Sequence, residues 1–333
     1  MNNLIKKDTL RQNKDIFQAD PIPGMEAVEQ MLHQAVSDSH HFTNKICTDL
    51  IEAGGKRVRP LLVLSSAQCF GSLNQETVYT AVACELIHMA SLVHDDVIDL
   101  SKTRRNKPTL NVQIGNHASV LVGDYLFAKA FEILSANKLL SSMNLVVEAI
   151  GEMCDGEIVQ ADNKFNLNQT MEDYYSRIYK KTGILIAACC QAGAIVGGAE
   201  DHEVEAFREY GKNIGYAFQI IDDLLDFTGN EKIMGKPVGC DLREGNITLP
   251  VLKLIAQAEY KQWIQGIFEQ GNVGKSQYLE ILRLMKDSYA LEESYQEAVV
   301  CVEKAKAALG EIKDSPNKNM LLNLADKIIR RKN

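Results

Sequence analysis

Between Pro108 and Pro237 the chain contains no proline, and apolar residues recur through this interval at three- and four-residue steps. Proline removes an amide donor and clashes with the preceding turn, so a proline-free interval this long suits long helices. The same periodicity starts at Met25. It runs through AVEQMLHQAV, VRPLLVLSSAQCF, VYTAVACELIHMASLVHDDVID and SVLVGDYLFAKAFEIL. It continues through SMNLVVEAIGEMCDGEIV, TGILIAACCQAGAIVGG and VEAFREYGKNIGYAFQIIDDLLDF. Hairpin signals and runs of alternating strands are missing from the sequence. Several segments are apolar nearly all round and read as interior helices of a large bundle. The tail segments KSQYLEILRLMKDSY, SYQEAVVCVEKAKAAL and NKNMLLNLADKIIRR are more amphipathic and belong on its outside. No low-complexity linker divides the chain. The expectation is one all-α domain over residues 25–333, after a loosely ordered polar lead-in at 1–24.

Charge and cysteine usage narrow the function. The 333 residues carry a formal net charge of −8, which argues against nucleic acid as the main partner but leaves room for a local basic pocket. The eight cysteines form no CxxC pair and read as small apolar residues of a reducing compartment. The stretch MNNLIKKDTLRQNKDIF lacks the apolar core of a signal segment, and no apolar run is long enough to span a membrane. A cytoplasmic protein is expected.

The chemistry gathers at two acidic clusters. SLVHDDVIDL places Asp95, Asp96 and Asp99 in an otherwise apolar helix, and IIDDLLDF places Asp222, Asp223 and Asp226 with the same DDxxD spacing. Residues four apart share a helix face, so Asp95 points with Asp99 and Asp222 with Asp226. A single DDxxD in a charged helix is usually a solvated face. Two of them in apolar helices would leave inward carboxylates unpaired at high cost. A hard divalent cation relieves that cost, and carboxylates with phosphate oxygens and water make a Mg²⁺ site. Zinc-type His or Cys spacing is absent, and His94 reads as a local hydrogen-bond partner. Basic residues supply a counterpart: Lys56, Arg57 and Arg59 in EAGGKRVRP, and Arg104 and Arg105 in SKTRRNKPT. Arg offers phosphate a planar fork and Lys a point charge.

These motifs carry a resemblance. GGKRVRP, HDDVID with RRNKPT, KKTGILIA, and FQIIDDLLDF with GKPVGCD resemble the trans-isoprenyl diphosphate synthase (polyprenyl synthetase) family over about residues 54–250. The resemblance implies an all-α bundle of long antiparallel helices around a central cavity, usually paired as a homodimer. It implies Mg²⁺ held by Asp95, Asp99 and Asp222, with Asp96, Asp223 and Asp226 completing the clusters. It implies that Arg104 holds an allylic diphosphate. Lys56, Arg59, His88 and Arg105, with Arg57 beside them, would hold isopentenyl diphosphate. Lys181, Thr182, Gln219 and Lys236 would line the allylic side, with Phe218 near the reacting carbons. Asn106 stands where the family commonly has Gly, and Asn tolerates the same turn conformations.

The implied product length depends on the helix before Asp95. Ala90 and Ser91 lie about one turn upstream and Ile87 about two turns upstream, roughly 6–7 and 12 Å along the axis. Short-product relatives typically place an aromatic near the first position. Small residues there, and the uninterrupted DDVID, are similar to the long-product branch that makes heptaprenyl or hexaprenyl diphosphate. Phe127, Phe131 and Ile87 are candidates for the floor, or ordinary core residues. The rivals are a shorter-chain synthase, a class I terpene cyclase and an accessory subunit. The cyclase mixes Asn, Ser or Thr with Glu in its second metal motif. It also has no use for a second diphosphate loop. Accessory subunits generally lack the Asp clusters. A small partner subunit and peripheral membrane contact for product release stay open.

Overall fold

The computed structural model describes residues 22–71, 73–104, 107–228, 239–269 and 273–330, without the side chain of Lys275. Helices α1 (Met25–Ser37), α2 (His41–Glu52) and α3 (Val58–Ala67) lead to the long α4 (Gln75–Ile98). Asn74 starts α4 by accepting the Thr77 amide at 2.8 Å. A two-residue ladder follows, β1 (Thr103–Arg104) against β2 (Lys107–Pro108), with Arg104 opposite Lys107. Then come α5 (Leu110–Ile114), α6 (Asn116–Ala136), α7 (Leu140–Asp162) and α8 (Met171–Ile178). A Thr170–Asp173 capping box opens α8. One π-helical turn, Tyr179–Gly183, passes directly into α9 (Ile184–Gly197). The chain continues through α10 (Asp201–Thr228), α11 (Cys240–Arg243), α12 (Leu249–Ile255), α13 (Ala258–Phe268), α14 (Lys275–Asp287), α15 (Ala290–Ala308) and α16 (Pro316–Ile329).

The periodic apolar faces meet as the sequence pattern predicts. Helix α4 packs along α6, α9 lies among α3, α7 and α10, and α15 covers α10. The α9 core is almost wholly buried from Ile184 to Ala194, matching its nearly all-round apolar sequence. Two close approaches need glycine. A Cβ on Gly193 would fall 2.5 Å from the Val63 carbonyl oxygen, so α9 sits backbone-close on α3. A Cβ on Gly215 would strike the Gly183 Cα, so α10 touches the π turn. The amphipathic tail wraps the outside: α15 buries Ala298, Cys301, Val302 and Ala305, and α16 is tied to α10 by the Tyr210 hydroxyl donating to the Leu321 carbonyl at 2.8 Å.

Among the described residues, the short ladder of Thr103–Arg104 with Lys107–Pro108, the π turn at Tyr179–Gly183 and the helical turn at Cys240–Arg243 are elements the sequence pattern does not show. All eight cysteines are free thiols. No described helix is long and apolar enough to cross a membrane.

Candidate active site

Both aspartate clusters sit at the C-terminal ends of long helices, α4 and α10. The unpaired carbonyls there make a partial negative charge, which disfavours carboxylates and favours cations. The six aspartates do not all face inward alike. Asp99 is the exposed cap of α4, Asp95 and Asp222 are half-buried, and Asp96, Asp223 and Asp226 are buried. Burial pushes the Asp95 carboxyl up to about 6, Asp99 and Glu157 add to this, and Lys181 and Arg104 oppose it.

The buried aspartates hold other parts of the site. Asp96 accepts from the Arg104 Nε at 3.0 and 3.1 Å and lies 2.9 Å from its Nη2. This fork pairing neutralises Asp96 and anchors the guanidinium beside Asp95. Asp226 accepts from the backbone amides of Cys240 and Asp241, each at 3.2 Å, and so fixes the segment that returns after the second cluster. Asp223 accepts from the Tyr174 hydroxyl at 2.7 Å and from the Gln219 amide at 3.0 Å. Burial pushes Asp223 up to about 7 and Asp226 up to about 6, and the Asp241 charge adds to both.

The π turn links the two clusters. Lys181 pairs with Glu157 at 3.0 Å; burial pulls its ammonium down, but Glu157, Asp95 and Asp99 outweigh that and hold it above its ordinary value. The next residue, Thr182, donates to Gln219 Oε1 at 2.8 Å, and Gln219 passes the connection to Asp223. An α-helical turn has 3.6 residues, and widening it by one residue re-aims consecutive side chains. Here it lets Lys181 serve the first cluster while Thr182 serves the second.

The glycine-rich loop splits its cations between two tasks. Helix α3 begins at Val58, so Arg59 lies in its first turn rather than in the loop. The Arg59 Nε is buried and has no hydrogen-bond partner. Burial pulls its guanidinium below the ordinary value, and the charges of Glu85 and Asp222 push back. Arg57, expected to bind substrate, meets a different arrangement: its guanidinium is engaged by Glu29, Glu85 and the Ile51 carbonyl. Lys56 is exposed; His88 lies on α4 two turns before Asp95, and Phe218 on α10 one turn before Asp222. Arg105 and Lys236 lie outside the described residues.

The arrangement therefore offers two carboxylate clusters, the first flanked by Lys181 and Arg104 and the second reached from the π turn through Thr182 and Gln219, with an unpaired arginine nitrogen on Arg59. A Polyprenyl synthetase family model matches residues 40–285. The chain belongs to the polyprenyl synthetase family. It is a prenyltransferase with the all-α isoprenoid synthase fold. The heptaprenyl diphosphate synthase component 2 of Geobacillus stearothermophilus is 38% identical over 90% of this chain and 93% of its own. A heptaprenyl diphosphate synthase crystal structure from Staphylococcus aureus superposes with a TM-score of 0.87 at 35% identity, covering 95% of this chain and 100% of its own. A polyprenyl synthase from Caulobacter crescentus CB15, complexed with calcium and isoprenyl diphosphate, gives 0.84 at 34% identity, covering 93% and 95%. Names among the relatives range from geranylgeranyl to octaprenyl diphosphate synthase.

In this polyprenyl synthetase the geometry adds candidate residues that the sequence reading does not single out. Glu157 pairs with Lys181, and Gln160 donates to Glu157 at 3.3 Å. Their signal is Gly156, where a Cβ would lie 2.7 Å from the Lys180 Cβ, so α7 must touch the π turn. Asp241, the last residue of GKPVGCD, adds its charge to Asp223 and Asp226. The product-length candidates fall differently. Ser91 shares the partly exposed Asp95 face and donates to the His88 carbonyl at 2.9 Å, whereas Ala90 and Ile87 are wholly buried. Phe127 stacks on Phe131 at 6.5 Å and meets the His94 ring edge-on at 5.7 Å. His94 Nε2 lies 3.0 Å from the Val120 carbonyl, the local role expected of it.

The donor set suits a hard cation. Among the residues on the two cluster faces every charged acceptor is a carboxylate oxygen, and helix ends and burial leave that charge under-compensated. Among the described residues no three His, Cys, Asp or Glu side chains converge as a ready metal cage.

Proposed function

We propose that this chain is the catalytic component of an Mg²⁺-dependent, all-trans, long-chain polyprenyl diphosphate synthase. It would add isopentenyl diphosphate repeatedly to farnesyl or geranylgeranyl diphosphate, giving a product such as heptaprenyl diphosphate. The observation that carries the reading is the bridge at Lys181–Thr182, which couples two carboxylate clusters of identical spacing. A single diphosphate-and-metal assembly spans such a pair, and a terpene cyclase has no need of the second cationic loop.

Asp95, Asp99 and Asp222 would hold Mg²⁺, which when bound supplies positive charge for the departing diphosphate. Arg104 and Lys181 hold the allylic diphosphate from the protein side and stabilise the charge that grows as its C–O bond breaks. Asp96 keeps the Arg104 fork in place for that task. Lys56 and Arg59, with His88 and Arg105, hold the isopentenyl diphosphate so that its double bond meets the allylic carbon. A new C–C bond forms as diphosphate leaves, and a proton passes from the isopentenyl carbon to the released diphosphate, restoring an alkene. Thr182, Gln219, Phe218 and Lys236 line the allylic side.

Ala90 and Ser91 leave the helix slender below the metal site, which supports a long product. The relative named as component 2 supports a second subunit. Exposed Val120 and Leu121 on α6 and Val147, Ile158 and Val159 on α7 support a homodimer. The decisive assay incubates the purified chain with farnesyl diphosphate, labelled isopentenyl diphosphate and Mg²⁺, and resolves the products by chromatography. Products of six or seven isoprene units are expected. Incorporation by the chain alone removes the need for a subunit. Diphosphate binding without incorporation supports one. Neither binding nor incorporation overturns the reading, and products ending at three or four units select the shorter-chain alternative.

A further inference from the structure

The cationic loop between α2 and α3 is short, contains Gly54 and Gly55, and has no regular structure between Ala53 and Arg57. Such a segment does not by itself fix the direction of Lys56, nor the angle at which it delivers Arg59 in the first turn of α3. Arg57 stands between them in a left-handed conformation, φ 47° and ψ 39°, which costs a non-glycine residue about 1 kcal/mol or more. Something must hold it there.

Four contacts do so. The Arg57 Nε donates to Glu29 Oε1 at 2.6 Å and its Nη2 to Glu29 Oε2 at 3.1 Å, a bidentate fork. Nη2 also donates to the Ile51 carbonyl and Nη1 to Glu85 Oε1, each at 3.0 Å. The partners come from three helices: Glu29 from α1, Ile51 from α2 and Glu85 from α4. The Arg57 side chain is 10% exposed and that of Glu85 4%. Buried charges set in this way are poor contributors to stability but good determinants of geometry. Glu85 is shared: its second oxygen is buried without a partner, and its charge acts on Arg59, whose Nε is also buried without one. Glu85 lies ten residues before Asp95 on the same helix, roughly 15 Å along it.

We propose that Glu29, Arg57 and Glu85 form a positioning clamp that aims Lys56 and Arg59 at the diphosphate of the second, homoallylic substrate, and references both to the helix carrying the first aspartate cluster. Arg57 is thus a positioning residue and does not touch substrate. The inference rests on the proposed assignment of Lys56 and Arg59 to isopentenyl diphosphate.

The test measures KM for isopentenyl diphosphate and for the allylic diphosphate separately, with kcat and the thermal midpoint, in the full chain with any subunit it requires. Arg57→Gly/Glu85→Gln removes the clamp, tolerates the positive φ and leaves Asp222 as the carboxylate that still compensates Arg59. Glu29→Gln weakens it at its most exposed point. The double variant should raise KM for isopentenyl diphosphate on the order of tenfold, with the allylic KM within about twofold; Glu29→Gln should move it the same way by less. Arg57→Lys, which keeps the charge but not the fork, should not restore the wild-type value. An unchanged isopentenyl KM, both KM values rising together, or full rescue by lysine overturns the clamp. Lys56→Ala separates the two ideas. If it leaves the isopentenyl KM untouched, the substrate assignment is wrong. If it raises that KM while the clamp variants do not, only the clamp is wrong.

Discussion

The Tyr174 hydroxyl donates to Asp223 Oδ2 across 2.7 Å, and both groups are buried. This bond, with the Gln219 amide on the other oxygen, lowers a carboxyl that burial and Asp241 otherwise raise. Tyr174→Phe keeps the ring and removes the donor. It should cost about 1–3 kcal/mol of stability, the penalty of an orphaned buried acceptor. If Asp223 supports the metal cluster, the Mg²⁺ concentration for half-maximal activity should rise several-fold, read from an activity titration. An unchanged Mg²⁺ requirement would separate Asp223 from metal binding.

Asp95, Asp223 and Asp226 are held near 6, 7 and 6, above their ordinary 3.8. A carboxyl raised in the folded state binds protons more tightly there than in the unfolded chain. Its contribution to stability is therefore fully present below about pH 4 and is lost as pH rises through 6–7. Asp223→Asn carries no such charge. Without Mg²⁺, its thermal midpoint relative to the wild type should climb as pH goes from 5 to 8. A difference independent of pH would mean that Asp223 is not strained by its charge.

Lys181 compensates Glu157, Asp95 and Asp99 together. Lys181→Met should raise the allylic KM and lower kcat by roughly a hundredfold combined, since an electrostatic contact to developing charge is lost. Added Mg²⁺ should recover part of the binding loss. Steady-state kinetics with each substrate varied in turn checks this, and a wild-type allylic KM would contradict it.

The long helices, their buried faces and both DDxxD motifs are legible in the sequence, because each depends on spacing within one segment. The all-round apolar stretch at Ile184–Gly197 becomes the central α9 for that reason. The remaining features depend on partners far along the chain. The π turn at Tyr179–Gly183 exists where Gly156 and Gly215 let α7 and α10 press on it, and no local pattern announces that. Glu157 gains its role only from Lys181 across the fold. Arg57 reads as one of three equivalent cations until Glu29 and Glu85 are brought to it. The short ladder pairs Thr103–Arg104 with Lys107–Pro108 without the alternating run that marks a strand in sequence.

Ala90 is wholly buried on α4, so a larger side chain must displace whatever lies beside it. If the growing chain runs there, Ala90→Phe should shorten the product to three or four isoprene units and keep turnover. If Ala90 faces only packed core, the substitution should lower the thermal midpoint, as overpacking costs typically about 1–3 kcal/mol, and leave product length unchanged. Product chromatography with a thermal melt distinguishes the two.

On the proposed function, the two aspartate clusters act as one cation-dependent diphosphate site. Calorimetric titration of the full chain with a non-ionisable thio analogue of farnesyl diphosphate tests this directly, with and without Mg²⁺. Tight binding that needs Mg²⁺, and falls at least about tenfold in both Asp95→Asn and Asp222→Asn, is the predicted result. Equal binding in the presence of a chelator, or loss in only one of the two variants, would contradict it.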